Sequence, residues 1–231
     1  MSKSEIIQTL RELSPTILPS LLLCDFAHLS DEIERLEDAG VAALHLDVMD
    51  GVFVPNFTYG LTIVDALRRI TELPLDVHLM MVHPEKYIAQ FIEAGADILT
   101  IHAEAVADPI PILEQIKKMG CAAGIAINPS TPISSIAGAI SHADLALVMS
   151  VNAGFGGQTF NSSVLEKFHQ IRSCPGGTDI LLEIDGGINV DTVGDVTEQG
   201  AQLLVAGSAV FKQPDYAEAI SNLMSRVKCL R

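Results

Sequence analysis

One beat runs the length of this chain: a helix-like segment, a glycine, a strand-like apolar run, then a polar loop. Asp38-Ala39-Gly40, Glu93-Ala94-Gly95, Lys118-Met119-Gly120 and Glu198-Gln199-Gly200 each close a helical pattern on a glycine, where the chain turns into the next strand. Candidate strands cover residues 16–23, 43–49, 75–80, 98–103, 122–128, 145–151, 180–185 and 203–210. Candidate helices cover 30–39, 62–70, 84–94, 110–119, 132–140, 162–173, 190–199 and 214–228. The unit is about 28 residues long and recurs eight times. In 231 residues this predicts an α/β fold: a single-domain (β/α)8 TIM barrel spanning 1–231, with 1–15 as a short N-terminal extension. An open doubly wound sheet carries fewer strands and a Gly-x-Gly-x-x-Gly turn after its first, which this chain lacks.

The C-terminal strand ends of such a barrel form its active-site face. Here those ends are His45 and Asp47, His78, His102, Asn128, Ser150 and Asn152, Asp185, and Gly207-Ser208. In Leu44-His45-Leu46-Asp47-Val48-Met49-Asp50-Gly51 the histidine and first aspartate are two apart, so both project from one strand face. Singly, His45 or His78 reads as a satisfied core histidine. Four ligand-type residues on three strand ends, His45, Asp47, His78 and Asp185, instead point to one divalent cation, Zn2+, Fe2+, Mn2+ or Co2+. Asp47 and Asp185, on strands two and seven, lie on opposite sides of the barrel. They can take a proton from one face of a carbon and return one to the other. An aspartate before glycine is also a common turn element, and Asp50 before Gly51 is read as turn structure or as orienting a ligand.

A formal net charge of −15 argues against a nucleic-acid partner or an anionic membrane surface. A phosphorylated substrate must then be held without a basic patch. Three glycine-bearing segments can do this through backbone N–H groups: Asn152-Ala153-Gly154-Phe155-Gly156-Gly157-Gln158, Gly186-Gly187 and Gly207-Ser208, the last placed in strand eight. Met49, Met80 and Met149 suit an apolar floor beneath the cation, or plain core filling. The four cysteines stand singly, so reduced thiols are expected, with Cys24 and Cys121 structural. No apolar run reaches eighteen residues, and the amphipathic N-terminus carries acids unlike a signal or transit peptide, so a cytoplasmic protein without a membrane partner is expected.

Several long blocks resemble the ribulose-phosphate 3-epimerase family over nearly the whole chain after its first fifteen residues. They include Pro19-Ser20-Leu21-Leu22 with Asp25, the run from Leu44 to Asn56, and Leu75-Asp76-Val77-His78-Leu79-Met80. Val148-Met149-Ser150-Val151-Asn152, Gly154-Phe155-Gly156-Gly157-Gln158, Glu183-Ile184-Asp185-Gly186-Gly187-Ile188 and Val205-Ala206-Gly207-Ser208-Ala209-Val210-Phe211 continue the match. The resemblance implies that His45, Asp47, His78 and Asp185 bind the metal and that Asp47 and Asp185 double as the acid/base pair. It implies substrate contacts from Ser20 and His78, and a phosphate held by Gly154, Phe155, Gly156, Gly157, Gly186, Gly187, Gly207 and Ser208. The implied reaction interconverts D-ribulose 5-phosphate and D-xylulose 5-phosphate through a cis-enediolate, as part of the pentose phosphate pathway. Ala153, where the family usually has proline, implies a less rigid loop; Cys24 and a longer N-terminus are the other departures. A homo-oligomer, dimer or hexamer, is implied as well, and the positive mean hydropathy points the same way.

Three other readings compete. An epimerase of a six-carbon ketose phosphate such as allulose 6-phosphate would share the metal and both aspartates. A metal-independent decarboxylase or phosphohexulose synthase would carry Asp-x-Lys-x-x-Asp on strand three, where this chain has Asp76-Val77-His78-Leu79-Met80-Met81. A non-catalytic sugar-phosphate-binding barrel would need the glycine loops but not opposed carboxylates.

Overall fold

The structure, a computed structural model, describes residues 2–155 and 158–228. Eight parallel strands occupy its centre: β1 (Thr16–Pro19), β2 (Leu44–Met49), β3 (Leu75–Met80), β4 (Ile98–His102), β5 (Ala122–Ile127), β6 (Leu145–Met149), β7 (Leu181–Asp185) and β8 (Leu203–Ala206). Strands from β2 to β8 pair in chain order, and β1 pairs with β8. A parallel bridge between Ser20 and His45 joins β1 to β2 across the remaining seam. The barrel expected from the repeat is therefore present and nearly closed.

Around it lie α1 (Lys3–Leu13), α2 (Leu29–Asp38), α3 (Leu61–Arg68), α4 (Ile88–Glu93), α5 (Ile110–Lys118), α6 (Glu166–Arg172), α7 (Val193–Glu198), α8 (Ser208–Phe211) and α9 (Tyr216–Met224). The four helix-ending glycines have φ of +73° at Gly40, +114° at Gly95, +85° at Gly120 and +99° at Gly200. That left-handed turn costs a residue with a Cβ far more than glycine. Among the described residues, no helix is long and apolar enough to cross a membrane.

The expected helix at 132–140 is absent. Two 3-10 turns, Ile133–Ser135 and Ile140–His142, cover the sheet there, with Ile133, Ile136, Ala139 and Ile140 buried as a helix would have buried them. Ser134 and Ser135 compete for backbone hydrogen bonds, and Gly138 adds an entropic cost. Two strands, β1 and β8, also fall furthest short of the expected bounds. β1 stops at Pro19, after which the Ser20 hydroxyl accepts from the Leu22 N–H and caps a 3-10 turn. β8 stops at Ala206, so Gly207 and Ser208 leave the strand; Gly207 turns the chain and Ser208 opens α8.

The larger core lies between barrel and helices, where α2, α5, α6 and their neighbours bury Leu36, Leu113, Phe168 and similar side chains. A second core fills the N-terminal end of the barrel. Ile6 and Leu10 of α1 meet Leu18, Ile98, Ala122, Leu145, Leu181 and Leu203 there, so the N-terminal segment is a helix closing the barrel floor. Ser2 and Glu5 start that helix with a reciprocal capping box. Between floor and mouth, buried polar side chains interrupt the apolar run: His45, Asp76, Thr100 and Glu183.

Candidate active site

Strand register assembles the site. In the β2–β3 pair His45 stands beside Asp76 and Asp47 beside His78. Each strand thus carries two polar side chains two residues apart, and both point inward. Glu183 and Asp185 repeat the pattern on β7. Around the barrel, β1 and β8 separate β2 from β7. Ligand atoms of His45, Asp47, His78 and Asp185 all lie within 4.8 Å of one another.

His45, Asp47 and His78 are each aimed by a partner. His45 Nδ1 is 2.6 Å from Asp76 Oδ2. A carboxylate can only accept, so His45 donates there and presents Nε2 on its other side. That Nε2 is buried and without a hydrogen bond, 3.5 Å from Asp47 Oδ1. Asp47 Oδ2 accepts from the Ser20 hydroxyl at 2.6 Å, and its Oδ1 faces His78 Nδ1 at 3.3 Å. The Tyr59 hydroxyl accepts from the Asp47 backbone N–H at 3.1 Å. A buried nitrogen left without a partner beside a carboxylate oxygen is what a cation would resolve. Two nitrogens and two carboxylates fit a divalent transition metal, each imidazole being oriented through its other nitrogen.

The electrostatics are divided. Burial opposes ionisation of Asp47, but the charge of His45, whose Nε2 lies 3.5 Å from Asp47 Oδ1, holds its carboxyl far below the usual range. Asp185, half-buried, is pushed up to about 7 by burial and by the charge of Asp47. Burial disfavours an imidazolium at His45, yet the carboxylates of Asp76 and Asp47 outweigh it and hold its pKa well above normal. Glu183 is driven well above the carboxylate range by burial and the charge of Asp76.

A cavity of about 210 Å³ opens over these groups. Ser20, Asp47, Asp185, Gly154, Phe155, Gly186, Gly187, Gly207 and Ser208 all line it, so the structure gathers these expected site residues. His45 and His78 lie fully buried behind Asp47 and do not line it. Gly156 and Gly157 lie outside the described residues. Met49, Met80 and Met149 line the cavity together, and no lysine or arginine is among its described lining residues. Gly186 has φ +109°, and a Cβ there would come within 2.5 Å of the Val151 side chain, so only glycine lets β7 turn at this point.

Asp50 is settled as turn structure. Its Oδ1 accepts from the N–H groups of Val52 and Phe53, and its Oδ2 from that of Val82, all at 2.8 Å. The Ala153 N–H donates to Asn128 Oδ1 at 3.2 Å, a bond proline could not make, and Asn56 Nδ2 donates to Gly154 O at 2.8 Å. The loop expected to be loose at Ala153 is thereby tied on both sides. Cys24 and Cys121 are buried free thiols, and burial pushes Cys24 up to about 12. Asp76, Glu183, Glu104 and Tyr59 escaped the sequence reading as site partners. The signal for the first two was a charged residue inside an otherwise apolar strand run.

The Ribulose-phosphate 3 epimerase family profile matches residues 16–211. The chain belongs to that family. It is therefore an isomerase, and its relatives cover it almost end to end. It is 49% identical to "Ribulose-phosphate 3-epimerase" of Bacillus subtilis (strain 168) over 90% of this chain and 97% of that one. It is 46% identical to "Ribulose-5-phosphate-3-epimerase, chloroplastic" of Arabidopsis thaliana over 96% of this chain and 77% of that protein. The Escherichia coli (strain K12) relative of the same enzyme name is 41% identical over 91% and 95%. Among solved structures, a 3-hexulose-6-phosphate synthase aligns with TM-score 0.68 and 15% identity over 92% of this chain and 100% of its own. A Mycobacterium tuberculosis tryptophan synthase aligns with TM-score 0.70 and 14% identity over 97% of each. These two likenesses speak to the fold alone.

Proposed function

We propose that this chain interconverts D-ribulose 5-phosphate and D-xylulose 5-phosphate by moving a proton at C3, with one divalent cation per subunit. The observation that carries the reading is the convergence of two nitrogens and two carboxyls within 4.8 Å, with the proton affinities of the carboxyls driven apart. The relatives' names supply the substrate.

His45 Nε2, Asp47, His78 Nδ1 and Asp185 would hold the cation. When bound it would supply a positive charge that polarises the C2 carbonyl and offsets the negative charge left as C3 loses its proton. Asp47, ionised, is suited to take the C3 proton, and Asp185, which holds a proton near neutral pH, to deliver one to the opposite face. The two exchange roles in the reverse direction, so their titrations belong to the pair. Ser20 donates to Asp47 and keeps one of its oxygens oriented. The three methionines exclude water beside the enediolate. Backbone groups of Gly154, Gly186, Gly187, Gly207 and Ser208 would receive the phosphate, in keeping with the absence of lysine and arginine among the described lining residues. On this reading the partner is a small sugar phosphate, and the reaction runs in the cytoplasm as part of the pentose phosphate pathway.

Incubating purified protein with ribulose 5-phosphate in D2O tests this directly. Deuterium should enter at C3 as xylulose 5-phosphate forms, stop after chelation and resume when Zn2+, Fe2+, Mn2+ or Co2+ is restored. A barrel that only binds sugar phosphate would leave C3 untouched, and faster turnover of allulose 6-phosphate would reassign the substrate.

A further inference from the structure

Behind the cation site a chain of side chains runs away from the cavity. His78 Nε2 is 2.8 Å from His102 Nε2, with the two rings stacked at 4.9 Å between centroids. His102 Nδ1 is 3.0 Å from Glu104 Oε2. Glu104 Oε1 accepts from the Asn128 backbone N–H at 2.7 Å and from the Thr131 hydroxyl. Lys167 Nζ fixes that support from behind, donating to the carbonyls of Asn128 at 2.9 Å and Thr131 at 2.6 Å. His78 and His102 are fully buried, and neither His102 nor Glu104 lines the cavity.

With both imidazoles neutral, the protons along this chain have one consistent arrangement. Glu104 Oε1 already accepts two bonds, and a carboxylate has no proton to give from Oε2, so His102 Nδ1 must be the donor to it. A neutral His102 then has a bare Nε2, which can only accept. The proton between the two rings therefore sits on His78 Nε2, and a neutral His78 is left with a bare Nδ1. That atom faces Asp47 Oδ1 at 3.3 Å, a contact between two acceptors that a cation would relieve.

We infer that His102 and Glu104 are positioning residues: they lock His78 in the Nε2–H tautomer and so aim its Nδ1 lone pair into the cation site. The inference rests on the proposed metal-dependent reading for its purpose, while the tautomer itself follows from the contacts of two neutral rings. The pair touches neither substrate nor cation and acts only through His78. Outer partners of this kind commonly change metal affinity by about 10- to 100-fold.

The test uses the full chain, first metal-free and then with Co2+. In the wild type, 15N-resolved NMR of the imidazoles should show His78 Nδ1 without a proton and Nε2 with one. His102→Phe keeps ring volume but cannot accept, so the His78 tautomers should mix and Co2+ affinity, read by chelator competition, should fall about 10- to 100-fold. His102→Gln can still accept from His78 through its carbonyl and should recover most of that affinity. Glu104→Gln, whose amide can present its oxygen to His102, should lose less than His102→Phe and guards against a variant that fails to fold. A protonated His78 Nδ1 in the wild type overturns the inference, as does a folded His102→Phe protein with unchanged tautomer and Co2+ affinity. Wild-type protein that shows the expected tautomer yet binds no Co2+ would instead sink the metal-dependent reading and, with it, the purpose assigned to the pair.

Discussion

Asp47 and Asp185 offer carboxyl oxygens within 4.8 Å of one another and have their proton affinities driven apart, one far below the usual carboxylate range and the other up to about 7. The cause is unequal company. Asp47 receives the Ser20 hydroxyl and faces two histidines, whereas Asp185 meets burial and the charge of Asp47 itself. A pair poised this way holds one proton in readiness and one base free.

Asp47→Asn and Asp185→Asn should each lower turnover by at least about 100-fold, since each removes one of the two proton-transfer groups. Circular dichroism should show both barrels folded. Turnover near the wild-type rate in either would remove that residue from the acid/base pair.

Cation binding should weaken on acidification. His45 and Asp185 both hold protons more tightly than usual in the metal-free protein, and both must release them to serve as ligands. Chelator competition should show affinity falling steeply as pH drops below about 7.

Without metal, the stability trend runs the other way. The raised Asp185 pKa contributes stability that is complete below the unfolded value of about 4 and is lost as pH climbs to about 7. His45, also raised, contributes below about 6.5 and loses it as pH passes its folded value. The depressed Asp47 is ionised in both states across that window and adds no slope there. Thermal melting of metal-free protein should thus show these groups favouring pH 5 over pH 8, and Asp185→Asn should flatten the lower part of the trend.

Asp50→Ala strips acceptors from three backbone N–H groups on two neighbouring loops. A loss of about 1–2 kcal/mol is expected in urea denaturation, because these groups are partly open to water and recover some bonding. A change within a few tenths of that unit would mean the loops hold without the brace.

Net charge should oppose the arrival of a phosphorylated sugar. With −15 on the chain and no basic side chain among the described cavity-lining residues, raising salt from about 0.01 to 0.15 M should increase kcat/KM by about two- to threefold. A decrease would reveal net attraction at the mouth.

Much of this molecule is legible in its residues because two local rules repeat. Helix-ending glycines such as Gly95 announce each turn into a strand, and i, i+2 spacing puts His45 with Asp47 on one face. What could not be read depends on register between strands. That Asp76 would stand beside His45, or that His102 would meet His78 ring to ring, follows from how β2, β3 and β4 align. The segment at 132–140 misled for a different reason: its apolar spacing is helical, but its serines and glycine favour tighter turns. Gly207 and Ser208 were placed one element too early because strand and helix meet there without a loop.

The N-terminal helix has a consequence far from where it sits. By seating Ile6 and Leu10 under the barrel, α1 keeps solvent from entering below the layer that holds Asp76 and Glu183. Proton affinities at the mouth depend on that interior staying dry. Eleven residues that take no part in the chemistry thus act as the bung of the vessel, and loosening it would detune the acid at the opposite end.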